Sequence, residues 1–129
     1  MQNAPPALLT LQERKPVPFH VIINPKITLI ASAGERTFFE GCLSIAGFGG
    51  LISRALEVQI ECLNEEAQPV TIHARGWYAR ILQHEIGHLQ GSLCIDHAHI
   101  RSWMTIENYI KHWRGKPIEE IYEWCQINH

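Results

Sequence analysis

The stretch Gly76-Trp77-Tyr78-Ala79-Arg80-Ile81-Leu82-Gln83-His84-Glu85-Ile86-Gly87-His88-Leu89-Gln90-Gly91 decides how this chain is read. Trp77, Tyr78, Ile81, Leu82, Glu85 and Leu89 recur at helical spacing, and Gly91 is placed to end the helix in a left-handed turn. Inside it lies His84-Glu85-Ile86-Gly87-His88, a His-Glu-x-x-His sequence. Residues four apart share one helix face, so both imidazoles reach a common metal ion while the intervening glutamate points toward water on that ion.

Moving toward the N-terminus, Leu56, Val58, Ile60 and Cys62 alternate with Glu57, Gln59 and Glu61. After the polar turn Asn64 to Pro69, Val70, Ile72 and Ala74 alternate with Thr71, His73 and Arg75. The two runs predict an antiparallel hairpin with one wet face. Further upstream, Phe19 to Asn24 and Ile27 to Ala31 predict two short strands broken at Asn24-Pro25, with a turn at Ser32 to Gly34. Residues 1–18 carry Pro5, Pro6, Pro16 and Pro18 and predict a flexible, Pro-containing arm, leaving 19–129 as the domain. Downstream, Leu93 to Ile95 predicts a brief extended run. Helices follow from about Thr105 to Trp113 and, after Gly115-Lys116-Pro117, from Ile118 to Gln126.

The whole chain, 129 residues and 46% hydrophobic, fits one domain with a modest core. Its 11 Lys+Arg against 13 Asp+Glu leave a net charge of -2, which argues against a nucleic-acid backbone or an anionic membrane as the main partner. No apolar run is long enough to span a bilayer, and residues 1–18 lack the apolar core of a secretory signal, so the expected setting is soluble and reducing. Cys42, Cys62, Cys94 and Cys125 are widely spaced and expected free or metal-bound.

A catalytic site built on the two histidines needs a third protein ligand and an open position. The four cysteines are the candidates. Cys62 falls in a strand pattern, and Cys94 and Cys125 read as packing residues. Cys42 sits in Glu40-Gly41-Cys42-Leu43-Ser44, where Gly41 allows close backbone approach. The remaining distinctive residues carry blander readings: His97 and His99 as surface residues near Asp96, Trp103, Trp113 and Trp124 as packing anchors, His73 and Arg75 on the wet hairpin face.

Glu40-Gly41-Cys42-Leu43-Ser44 followed by Gln83-His84-Glu85-x-x-His88 resembles the second and third signature motifs of the peptide deformylases. Val17 to Pro25, Ala74 to Leu82, Gly91 to Leu93 and Ile95-Asp96 resemble the flanking segments, so the likeness runs from about Val17 past Asn108. It implies an α+β fold of short antiparallel strands around a central metal-binding helix. Cys42, His84 and His88 become the metal ligands, Glu85 the general acid/base, the Leu43 N–H an oxyanion donor and Gly41 a substrate-binding residue. One divalent ion is implied, Fe(2+) first and Zn(2+) as the alternative. The implied reaction is hydrolysis of the N-formyl group from the initiator methionine of nascent peptides, in a bacterial cytoplasm or an organelle matrix. No membrane or specific nucleic-acid partner is expected. A weak ribosome contact is compatible with the basic cluster Lys111, Arg114 and Lys116.

Two departures stand beside the resemblance. The family's first motif, a Gly-rich stretch ending in an oxyanion-binding glutamine, has no match between Met1 and Pro18, because Gln2 and Gln12 lack its Gly-x-Gly-x-Ala-Ala context. The implied fold is therefore N-terminally short. Gly87 stands where the family has an aspartate that pairs with an arginine at the position of Arg54, so Arg54 needs another partner or solvent. A catalytically weak or inactive metal- and peptide-binding fragment is the alternative these departures support. A general His-Glu-x-x-His peptidase accounts for the helix but leaves Glu40 to Ser44 unexplained.

Overall fold

The computed structural model describes residues 6–15, 17 and 19–127. The predicted hairpin is present as β4 (Glu57–Leu63) and β5 (Pro69–Arg75), with Val58 opposite Ala74 and Ile60 opposite Ile72. Val58, Ile60 and Cys62 are buried and the residues between them are not, as period-2 alternation requires. On the other side of β4 lies β1 (Ile23–Leu29), giving a first antiparallel sheet in the order β1-β4-β5. The two strands expected around Asn24-Pro25 are one strand. The break is absorbed as a register shift between Ile23 and Lys26, with Asn24 at φ 51, a conformation asparagine tolerates better than most residues. The expected turn at Ser32 follows as one turn of 3-10 helix, Ala31–Ala33, closed by Gly34.

A second sheet, in the order β2-β3-β6, is formed by β2 (Glu35–Cys42), β3 (Ile45–Ala55) and β6 (Met104–Thr105). Its alternation is illegible in sequence for two reasons. Glycines 47, 49 and 50 interrupt β3, and residues 49–52 are buried in succession because both faces of the strand are covered. Gly49 has no room for a side chain: a Cβ there would lie 2.4 Å from the Glu40 carbonyl oxygen and 2.7 Å from the Phe39 ring.

The metal-motif helix, α2 (Trp77–Leu89), packs against β1 and β5 of the first sheet and β3 of the second. Ala79, Leu82 and Ile86 join Val58, Ile60, Cys62 and Ala74 in one apolar cluster. The predicted Gly91 stop is a Schellman turn: Gly91 has φ +85, its N–H donates to the His88 carbonyl, and the Ser92 N–H donates to the Gly87 carbonyl.

Beyond α2, Leu93 to Ile95 is not an extended run. Cys94–Asp96 forms a 3-10 turn because the Asp96 carboxylate accepts from the Leu93 N–H at 2.8 Å. A further 3-10 turn at Ile100–Ser102 leads into β6 and α3 (Ile106–His112), whose N-cap Thr105 hydroxyl accepts from the Asn108 N–H. The last helix, α4 (Ile118–Cys125), begins just after Pro117. Helices α3 and α4 close a second apolar cluster of Phe39, Leu51, Tyr109, Ile121 and Tyr122, in which Phe39 and Tyr109 stack at 3.8 Å.

The segment read as an arm carries one regular element among its described residues. Pro6–Leu11 is the short helix α1, and Gln12 beyond it is buried. The Arg14 guanidinium lies 3.9 Å over the Trp77 ring, which ties this segment to the start of α2.

Candidate metal centre

Cys42 ends β2, and a two-residue turn, Leu43–Ser44, returns the chain so that Cys42 faces Ile45. His84 and His88 stand one helical turn apart on α2, their rings 4.8 Å apart and nearly perpendicular. The structure brings the three together: one donor atom from each of Cys42, His84 and His88 lies within 4.8 Å of the others. Cys42 Sγ is 3.4 Å from His88 Nε2. Among the described residues this is the one group of three potential ligands with such spacing.

Electrostatics favours the ligating form of the cysteine. Burial raises the Cys42 thiol, but the Ser44 N–H at 3.4 Å, the Ser44 side chain and His84 as hydrogen-bond partners, and the His88 charge outweigh it and bring the thiol down to about 7. Its thiolate is thus well populated near neutral pH. A thiolate with two imidazoles suits a borderline ion of the zinc or ferrous type, and three protein ligands leave the fourth tetrahedral position open. The residues present fit the group that the motif implies.

Behind His84 lies an arrangement that sequence reading missed. Glu40, on β2, accepts from His84 at 3.0 Å between Oε1 and Nδ1. The same carboxylate is gripped in bidentate fashion by Arg54 on β3, at 2.7 and 2.9 Å, and is bonded by Arg80 on α2. All three of these charged side chains are buried. Arg54 therefore has its partner in Glu40 rather than in residue 87. Burial raises the Glu40 carboxyl, yet the hydrogen bonds from His84 and Arg54 and the charges of Arg80 and Arg54 overcome it and hold it at about 2. In turn, the hydrogen bond to Glu40 raises the His84 imidazole against the effect of burial. The spacing Glu40-x-Cys42 was the available signal, since alternate residues of a strand share a face.

Glu85 is exposed and lines a cleft of about 200 Å³ together with Phe39, Glu40, Gly41, Trp77, Ile81 and His84. Gly41 forms one wall of that cleft, and a Cβ on it would meet the Phe48 carbonyl at 3.2 Å. The Leu43 side chain is 98% exposed, so only its backbone is available to chemistry here. Gln12 is absent from the cleft lining, and its side-chain oxygen accepts from Arg14 Nε at 2.6 Å. A Cβ at Gly87 would stand 3.0 Å from Ser92 Oγ, so Ser92 fills the space a side chain would take.

The other distinctive residues are not part of the Cys42, His84 and His88 group. His97 bonds Ser92, while His99 is half-buried rather than superficial, 3.4 Å from the Ser53 hydroxyl and edge-on to Tyr122. Trp124, expected as a packing anchor, is 73% exposed. Lys116 of the basic cluster is engaged locally, over the Trp113 ring and 3.7 Å from Glu120.

The chain is similar to known proteins in both sequence and fold. A family model described as polypeptide deformylase matches residues 7–102. The chain is 44% identical over 99 residues to the chloroplastic peptide deformylase 1A of Solanum lycopersicum, covering 75% of this chain and 35% of that protein. It is 41% identical over 107 residues to a peptide deformylase of Bifidobacterium adolescentis, covering 83% and 49%. A solved peptide deformylase of Synechococcus elongatus, in complex with actinonin, superposes with a TM-score of 0.58 at 28% identity, over 84% of this chain and 52% of that one. The chain thus spans between about a third and a half of these curated relatives.

Proposed function

This chain belongs to the polypeptide deformylase family, and from that membership we propose that it is a metal-dependent hydrolase removing the N-formyl group from the initiator methionine of nascent peptides. One observation carries the proposal: Cys42, His84 and His88 converge beside a cleft that Glu85 lines. Cys42, His84 and His88 would hold a divalent ion, Fe(2+) or Zn(2+), which when bound supplies Lewis acidity and lowers the pKa of water.

The remaining roles belong to the chain. Glu85, exposed on the cleft wall one residue after a ligand, takes a proton from the attacking water and returns it to the departing amine. Gly41, without a side chain, lets an extended peptide lie against the β2 backbone, and Trp77, Ile81 and Phe39 supply the apolar floor that a methionine side chain needs. The Leu43 N–H, next to the ligand Cys42, is the donor we assign to the developing oxyanion. Glu40 keeps His84 in the tautomer whose Nε2 is free to ligate.

Formyl-methionyl peptides are the proposed partners. Relatives from a bacterium and a chloroplast support a bacterial cytoplasm or an organelle matrix as the compartment. Among the described residues no helix is long and apolar enough to cross a membrane. The second reading, a metal- and peptide-binding protein of low turnover, is favoured by one observation, that among the described residues no glutamine side chain lines the cleft.

Formate release from a formyl-Met peptide by protein loaded anaerobically with Fe(2+), beside Glu85→Gln, separates the two. The hydrolase reading expects a drop of about 10²- to 10⁴-fold in Glu85→Gln with metal content unchanged. Equal rates, or no release above a metal-free control, would refute it.

A further inference from the structure

Arg80 occupies the α2 stripe one turn before His84 and two turns before His88. It is 4% exposed, which is rare for arginine, and nothing in the His-Glu-x-x-His pattern calls for it. Its guanidinium reaches three acceptors on two strands: Glu40 on β2, the Arg36 carbonyl on β2 at 2.6 Å, and the Ile52 carbonyl on β3 at 2.9 Å. The flat face of the group also lies 5.2 Å from the Phe38 ring centroid.

The two oxygens of Glu40 serve different partners. Oε2 takes Arg54 Nε and Arg80 Nη1, while Oε1 takes Arg54 Nη2 and His84 Nδ1. With both arginines in place the carboxylate cannot rotate, and Oε1 is held toward the histidine. At the same time the contacts to Arg36 and Ile52 set the height of α2 along the β2–β3 hairpin, which carries Cys42 at its tip.

We propose that Arg80 is a positioning residue for the metal centre, acting through Glu40 to fix the tautomer and orientation of His84. The proposal rests on the metal-site reading above but not on the deformylase reaction. Its chemistry needs a planar fork. A lysine supplies the charge, but its single nitrogen cannot reproduce contacts that the guanidinium makes through two separate nitrogens.

A residue that merely docks α2 provides the control. Gln83 clamps the helix to Ala55 through both backbone groups, donating to its carbonyl at 2.8 Å and accepting from its N–H at 3.1 Å, without touching Glu40. The experiment compares the full chain with Arg80→Lys, Arg80→Met and Gln83→Ala. It reads Co(2+) affinity by chelator competition, the Co(2+) visible spectrum, the ring ¹⁵N shifts of His84 in metal-free protein, and thermal unfolding.

The expected result is a loss of about 10- to 100-fold in Co(2+) affinity in both Arg80 variants. A changed spectrum and a His84 ring no longer confined to the Nδ1-protonated form should accompany it. Gln83→Ala should lower the unfolding temperature with affinity, spectrum and ring shifts unchanged. Wild-type affinity and ring shifts in Arg80→Lys would overturn the proposal, because charge alone would then suffice. It would equally be overturned if Gln83→Ala lost affinity in step with its stability, as Arg80 would then be one helix clamp among several. Should Arg80→Met not fold, Arg80→Lys decides. None of these readouts involves formyl-peptide turnover, so a failure of the deformylase reading leaves them interpretable.

Discussion

Cys42 Sγ and His88 Nε2 are 3.4 Å apart, on a strand end and a helix separated by 46 residues of chain. Bonds of about 2.3 Å to sulfur and about 2.1 Å to nitrogen at a tetrahedral angle place two such ligands about 3.6 Å apart. The pair is therefore already set at nearly the spacing of an occupied site by the fold itself. For this pair, metal affinity is not spent on drawing the ligands together.

Metal should consequently stabilise the folded chain without reorganising it. At free metal about a thousandfold above the dissociation constant, the gain is about 4 kcal/mol. Thermal unfolding with and without a chelator should show this as a clear shift in wild type. Cys42→Ser, which leaves two imidazoles, should show little or none; a shift of wild-type size in that variant would remove Cys42 from the ligand set.

Acid should unfold the protein through Glu40. Its carboxyl is held at about 2 in the folded chain against an ordinary value of 4.5, so folding is favoured by the ionised form. That contribution is complete above the ordinary value and is lost as pH falls from there toward about 2. Its size is on the order of 3 kcal/mol. Urea unfolding between pH 6 and pH 2.5 should show a falling stability in wild type and a flatter profile in Glu40→Gln. Parallel profiles would assign the acid sensitivity to other groups.

Gly49→Ala should reach the metal site from outside it. The added methyl would meet the Glu40 carbonyl, which is backbone and cannot swing away, as well as the Phe39 ring. We expect a loss of about 2 kcal/mol or more, together with weaker metal binding, because β2 carries both Glu40 and Cys42. Isothermal metal titration alongside denaturant unfolding checks both parts. A variant as stable as wild type would show that β2 can move away.

Leu51 tests whether the second apolar cluster, built by elements after α2, belongs to the same cooperative fold. It is fully buried on β3 among Phe39, Tyr109, Ile121 and Tyr122. Leu51→Ala should cost roughly 3–5 kcal/mol, read as a lowered denaturant midpoint. A cost below about 1 kcal/mol would mean that α3 and α4 pack only loosely on the sheet.

Residue by residue, legibility followed the range of the interaction. Helix α2 could be read because its apolar spacing, its paired histidines and its Gly91 stop all lie within sixteen residues. The β4–β5 hairpin could be read because one face is wet, which writes alternation into the sequence. Strands β2 and β3 could not, since β3 is covered on both sides and punctuated by glycines, of which Gly49 serves a close approach to the Glu40 backbone. Cys42 was one of four candidates from its surroundings alone, and the family resemblance singled it out. Trp124 misled for the opposite reason: a large apolar side chain suggests burial, but only the packing of neighbouring elements determines which tryptophans are covered.

By itself the sequence determined the helix that presents His84 and His88, the period of the β4–β5 hairpin and, through its motifs, the family. These are local patterns, set by backbone geometry over one or a few turns. Only the tertiary structure decided that Glu40, Arg54 and Arg80 share one buried carboxylate behind His84, and that Cys42 meets His88. The Glu40–Arg54 pair lies within one hairpin, and the other two relations join that hairpin to a helix some forty residues away. They exist because a buried charge must find its partners among whatever side chains packing brings near, and a shared strand face for Glu40 and Cys42 does not say which residues of another element will meet it.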